Sequence, residues 1–157
     1  VSAARVLPWL AVPARWYLGV LFVGACLHKI ADPGAFAVDV ATYDIVPLAL
    51  VNVTAIALPW VELAAGALLL AGWRVRAGAL LVTAMMAVFL AALVIALARG
   101  LDMSCGCFAS QGAAEDPISA LTVVRDLAWL ALAVFVLVCD RALAGLDSLL
   151  EGRKDDA

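Results

Sequence analysis

The sequence predicts an all-α membrane protein: a bundle of four transmembrane helices, with a short interfacial helix in the first loop. Two observations carry this. Of 157 residues, 67% are hydrophobic and 15% charged, well above the roughly 45–50% apolar content of soluble globular domains. The apolar residues also gather into four runs of about 20 residues, the length that crosses about 30 Å of hydrocarbon at 1.5 Å per residue. The mean hydropathy of +1.10 agrees.

The spans are expected at about 10–30, 48–71, 75–98 and 118–138. Their Ala, Leu, Val and Gly content suits close helix packing in lipid. Asp32-Pro33-Gly34 ends the first span, because proline removes a donor and clashes with a continuing helix. In the loop that follows, Phe36, Val40 and Tyr43 recur at helical spacing, with Asp39 and Asp44 off that face. This pattern predicts a short helix lying on the membrane, serving either as an anchor or as a lid over the bundle mouth. The tail, 141–157, is amphipathic at Leu143, Leu146, Leu149 and Leu150 and then charged. It is expected to lie on the surface and fray. No repeat or separate soluble domain is visible, so residues 1–157 read as one integral membrane domain.

Basic residues set the orientation. Arg5, Arg15, Arg74, Arg76, Arg141, Arg153 and Lys154 fall on one side, and Lys29, Arg99 and Arg125 on the other. The positive-inside rule then puts both termini in the cytoplasm and the loop after the third span outside. The expected location is a bacterial inner membrane with that loop in the periplasm, a compartment that permits disulfides. There is no basic patch, which argues against nucleic acid as a partner. Membrane lipid is the expected surrounding.

The outward loop holds the most informative motif, Cys105-Gly106-Cys107. A disulfide between thiols two residues apart is tight and strained, and strained, exposed disulfides exchange readily. As a staple it would close almost no loop and stabilise little. Thiol exchange is therefore favoured over soft-metal binding or a structural bond. Cys26 lies near the outer end of the first span, about 6 Å below Ile30 at 1.5 Å per residue, on the side of the Cys105 loop. It suits a resolving thiol, although buried free cysteines are common. Lys29 shares its face and could favour the thiolate. His28 could tune the loop thiols or be a plain interfacial histidine. Cys139, at the far end of the fourth span, reads as structural.

Ionisable groups inside a membrane are costly and functional by default. Glu62, Arg125, Asp126 and Arg15 qualify. Arg15, Gly19, Phe22, Cys26 and Lys29 share one face of the first span. Asn52, Ala55, Pro59, Glu62 and Gly66 share one of the second, and Thr122, Arg125 and Trp129 one of the fourth. If these faces meet, Glu62 is expected to pair with Arg15 or Arg125. Such a pair would fix helix register, or form a polar floor that moves protons or orients a quinone carbonyl. A quinone pocket would then involve Trp60, Glu62 and Trp129.

These segments together resemble the methylamine-utilisation MauE branch of the DoxX-like membrane proteins. The likeness runs from about Arg15 to Asp140. It rests on Arg15-Trp16-Tyr17-Leu18-Gly19, on His28-Lys29-Ile30-Ala31-Asp32-Pro33 with Phe36, and on Tyr43 with Pro47. It continues in Leu58-Pro59-Trp60-Val61-Glu62-Leu63 with Gly66, and in Cys105-Gly106-Cys107-Phe108 followed by Arg125-Asp126. The resemblance implies a four-helix bundle and a role in extracytoplasmic thiol–disulfide handling. It also implies association with maturation of a disulfide-rich periplasmic dehydrogenase beside a thioredoxin-like partner. In plan the bundle is similar to vitamin K epoxide reductase-like enzymes, which pass electrons from thiols to quinone. Two departures stand out. Ala109 replaces the glycine the family carries after Cys-Gly-Cys-Phe, and there is no Cys-x-x-Cys.

The sequence-based expectation is thus a membrane thiol–disulfide oxidoreductase, with a quinone as the one cofactor class in view. Cys105 and Cys107 would exchange with a periplasmic thioredoxin-like or substrate protein, and Cys26 would resolve the mixed disulfide. Lys29, His28, Glu62, Arg125 and Arg15 would support them. Two alternatives belong to other classes. One is a transporter of Cu(I), Hg(II) or a thiophilic ligand, using the same three thiols as soft ligands. The other is a noncatalytic membrane partner of a periplasmic enzyme.

Overall fold

The computed structural model describes residues 3–101, 118–140 and 145–147. Among them are five helices: α1 (Ala3–Ala31), α2 (Pro33–Thr42), α3 (Leu48–Ala71), α4 (Val75–Ala98) and α5 (Ala120–Cys139). All but α2 are long and apolar enough to span a membrane, so the chain is a multi-pass membrane protein. Neighbours around the bundle run α1, α3, α4, α5 and back to α1. Three spans lie within two residues of their expected bounds at each end. The first begins earlier, at Ala3, because Pro8 and Pro13 do not break α1; buried or lipid-facing helices tolerate proline where neighbours re-satisfy the freed carbonyls.

Local chemistry explains the helix ends. Asp32 caps α2 by accepting from the Ala35 amide at 2.9 Å, and Pro33 occupies the first turn, where its missing N–H is no loss. Ser119 caps α5 by accepting from the Thr122 amide at 3.3 Å. Gly72, left-handed at φ 64°, ends α3. Arg74, also left-handed at φ 47°, begins α4 without a cap of its own. The cap comes from the C-terminal tail: Asp147 accepts from the Arg74 and Val75 amides at 3.0 and 3.2 Å. The Asp147 amide in turn donates to the Gly72 carbonyl at 3.0 Å. This described piece of the tail is therefore docked on the α3–α4 turn, where the sequence suggested a fraying surface segment; the remainder lies outside the described residues.

Two backbone approaches set the bundle's width. A Cβ on Gly66 of α3 would stand 3.1 Å from the Gly19 carbonyl oxygen of α1, and one on Gly19 would stand 3.2 Å from that of Gly66. Gly78 of α4 similarly meets Leu68 and Ala65 of α3. Around these points Leu18, Phe22, Leu69, Val82, Ala133 and Val136 form the main buried cluster.

Candidate functional site

The expected face of α1 is real. Arg15, Phe22, Cys26 and Lys29 are all buried, and Gly19 makes the backbone contact just described. On α3 the expected face holds for Ala55, Pro59, Glu62 and Gly66, but Asn52 is exposed. On α5 the buried stripe is Thr122, Asp126, Ala133 and Val136. Arg125 and Trp129 flank it, partly exposed.

The buried charges pair differently from the sequence-based expectation. Glu62 joins neither Arg15 nor Arg125. Both of its oxygens accept from Lys29 Nζ, at 2.8 and 2.9 Å. Arg15 Nη1 instead meets Asp140 Oδ2 at 3.3 Å, and Arg125 Nε meets Asp126 Oδ1 at 3.1 Å. Helix direction explains the exchange of partners. Measured from the Gly19–Gly66 contact, Lys29 lies about 15 Å along α1 and Glu62 only about 6 Å along α3 in the same direction. Helical side chains lean toward their own N-terminus. Because α1 and α3 are antiparallel, Lys29 and Glu62 lean toward each other across that gap. Arg15 lies on the other side of the Gly19–Gly66 contact and leans, like Lys29, toward the N-terminus of α1, which carries it away from Glu62 and toward the end of α5 where Asp140 stands.

This ion pair borders a cavity of about 450 Å³. From α1 it receives Leu21, Phe22, Ala25 and Lys29, and from α2 Phe36, Asp39 and Val40, with Tyr43 from its C-terminal cap. Thr54, Leu58 and Glu62 of α3 face Met85, Met86 and Phe89 of α4, and α5 adds Asp126 and Trp129. The apolar face of α2 thus turns into the bundle mouth: Phe36 and Tyr43 are buried, the Lys29 ammonium lies 5.0 Å from the centre of the Phe36 ring, and Tyr43 meets Phe89 edge-on. The helix thus covers the cavity with its aromatic face. Two of its lining residues, Ile45 and Val88, are exposed, Val88 to 72%.

Trp129 borders the cavity and donates through Nε1 to the Tyr17 hydroxyl at 3.1 Å, while the Arg125 guanidinium covers its ring at 4.9 Å. Trp60 does not belong to the pocket: it is 57% exposed on the outer face of α3. It sits two residues before Glu62, and positions two apart in a helix face different ways.

Cys26 is a fully buried free thiol whose Sγ donates to the Val23 carbonyl at 3.1 Å. It lies outside the cavity wall, one turn below Lys29. His28 is half-buried, and Cys139 is a half-buried free thiol at the Asp140 end. Cys105 and Cys107 lie outside the described residues. The chain that flanks them is described: Leu101 and Ile118 pack against Tyr43 and Ala96, and Arg99 Nη1 donates to the Asp44 carbonyl at 3.2 Å. Both ends of the segment 102–117 therefore leave the bundle at the mouth roofed by α2.

Sequence reasoning did not identify Asp140 as a partner or Phe36, Tyr43 and Phe89 as cavity wall. The signal for Asp126 was present in its spacing of four from Thr122 and seven from Ala133, a single helical stripe.

The family described as Methylamine utilisation protein MauE matches residues 7–139. The chain is 34% identical over 123 residues to the Methylamine utilization protein MauE of Paracoccus denitrificans, covering 78% of this chain and 65% of that protein. It spans just under two-thirds of that relative's length. No solved structure matches. On the strength of the family match across nearly all the membrane-spanning part, the chain belongs to the MauE family.

Proposed function

We propose that this chain exchanges disulfides at a membrane surface, with Cys105 and Cys107 as the exchanging pair and Cys26 as the resolving thiol. The observation that carries the reading is positional. Cys26 is a free thiol at the bundle end where Leu101 and Ile118 frame the Cys-Gly-Cys segment. The proposed side of the membrane is the periplasmic face of a bacterial inner membrane, as the distribution of Lys and Arg suggests. The proposed partner is a thioredoxin-like or substrate protein. The Paracoccus relative's name ties that protein to methylamine utilisation, and we extend the same process to this chain.

The chemistry is one balanced exchange. A thiolate of Cys105 or Cys107 attacks one sulfur of the partner's disulfide. The S–S bond breaks, a mixed disulfide forms, and one partner thiolate leaves with the electron pair. A second thiol of the trio, deprotonated, then attacks the mixed disulfide and releases the other partner thiolate, leaving a disulfide in this chain. Run backward, the same steps deliver a disulfide. The buried Lys29–Glu62 pair stands one turn from Cys26 and supplies a fixed polar boundary there.

The soft-metal alternative gains Met85 and Met86 in the cavity wall, but Cys26 is not in that wall, so no continuous path of sulfur follows. The test is exchange with a disulfide-containing thioredoxin-like protein in proteoliposomes, read by thiol labelling. Cys105→Ser and Cys107→Ser should each abolish exchange, and Cys26→Ser should accumulate the mixed disulfide. Unchanged exchange in both loop variants would overturn the reading in favour of a noncatalytic partner.

A further inference from the structure

We infer that the cavity beneath α2 is a binding site for a neutral, membrane-soluble ring compound bearing a carbonyl acceptor, the chemistry of a lipid quinone. Cys26 is not part of its wall.

Four features point to this ligand class. The first is size: about 450 Å³ lies within the roughly 300–1,000 Å³ typical of sites that enclose a small organic molecule. The second is the wall itself. Phe22, Phe36, Tyr43, Phe89 and Trp129 converge on the space from four different helices, and aromatic faces and edges favour a flat conjugated ring over a flexible chain. The third is the entrance. Val88 and Ile45 are exposed at the rim, so a ligand dissolved in the bilayer enters sideways without crossing water.

The fourth is charge. The wall carries one ammonium, Lys29, and three carboxyl groups, those of Glu62, Asp39 and Asp126. That balance disfavours an anionic ligand such as a fatty acid or a phospholipid headgroup. The Lys29 ammonium has three N–H donors, and Glu62 takes two of them. The third is available to a carbonyl oxygen in a site where a charge-assisted hydrogen bond is strong.

The probe is decylubiquinone, added to the purified full-length protein in nanodiscs of dioleoylphosphatidylcholine and measured by equilibrium binding. Cysteine-free protein is used, so that failure of binding and failure of thiol exchange are separate results. Saturable binding is expected. Ala92→Phe, which fills the cavity from α4, should weaken it at least about tenfold. The double variant Lys29→Met/Glu62→Met removes the ion pair without stranding either charge and should weaken it about fivefold or more, roughly one hydrogen bond's worth. Both variants are first checked for an unchanged helical circular dichroism signal. Partitioning into the nanodisc without saturation would overturn the proposal. So would affinity indifferent to Ala92→Phe, or equal displacement by a nitroxide-labelled phospholipid chain, which would assign the space to an acyl tail.

Discussion

Lys29 and Glu62, thirty-three residues apart, form a two-pronged ion pair of 2.8 and 2.9 Å inside the membrane-spanning bundle. Both are at least nine-tenths buried. The pair joins the last turn of α1 to the middle of α3 and forms part of the cavity wall, so one interaction both holds the helices and shapes the candidate site.

Breaking one half should be far worse than removing both. Lys29→Met leaves an uncompensated carboxylate and should cost about 3–5 kcal/mol, whereas Lys29→Met/Glu62→Met should recover most of that loss. A double-mutant cycle of thermal or denaturant unfolding in detergent checks this, and additive effects of the single changes would contradict it.

Gly66 of α3 and Gly24 of α1 predict opposite outcomes. Gly66 of α3 leaves no room: its Cβ would meet Val23 Cγ2 at 2.9 Å and the Gly19 carbonyl at 3.1 Å. Gly66→Ala should therefore destabilise by about 1–3 kcal/mol through overpacking. Gly24 has nothing within 4 Å of its Cβ position. Gly24→Ala should be neutral or stabilising by up to about 1 kcal/mol, since alanine is the better helix former. Melting temperatures of Gly19→Ala, Gly24→Ala and Gly66→Ala give the ranking, with Gly19→Ala tempered by the movable Leu70 side chain that it would meet at 2.7 Å.

The cap that Asp147 places on α4 gives a local prediction. Asp147→Ala should cost about 1 kcal/mol and accelerate hydrogen exchange at the Arg74 and Val75 amides while leaving α1 amides unchanged. Gly145→Ala should be more damaging, because its φ is 148° and a Cβ would fall 2.6 Å from Gly72 Cα. Exchange mass spectrometry of the α3–α4 turn reads both.

Thiol accessibility separates Cys26 from Cys139. Cys26 is fully buried and Cys139 half-buried. A small maleimide should label Cys139 at least about tenfold faster than Cys26 in the folded protein, and the two should react at similar rates once unfolded, because burial rather than intrinsic reactivity separates them. Equal rates in the folded state would contradict the burial of Cys26.

Much of the site was legible before folding. The face of α1 that carries Arg15, Cys26 and Lys29 follows from a 3.6-residue period, and so does the face of α3 with Glu62. Asp32-Pro33 marks the α1–α2 break because the two residues act locally, one as a cap and the other as a stop. The partners of the charges were not legible. Assigning Glu62 to Lys29 requires the relative height of two antiparallel helices, which the Gly19–Gly66 contact sets. It also requires the lean of each side chain toward its own N-terminus. The exposure of Trp60 is a different case: two residues from Glu62 is a different side of the helix, which the helical period alone gives.

By itself the sequence determined that this is a four-span membrane protein with a short interfacial helix after the first span. Length, hydropathy and periodicity are local properties, and the bilayer converts them directly into topology. Its resemblance to the MauE family was likewise present in the order of its motifs. Only the tertiary structure decided which buried charges pair, that α2 turns its aromatic face inward, and that Asp147 from the tail caps α4. Each of these depends on the heights and rotations at which distant helices meet, and those are set by close backbone contacts that no single segment encodes.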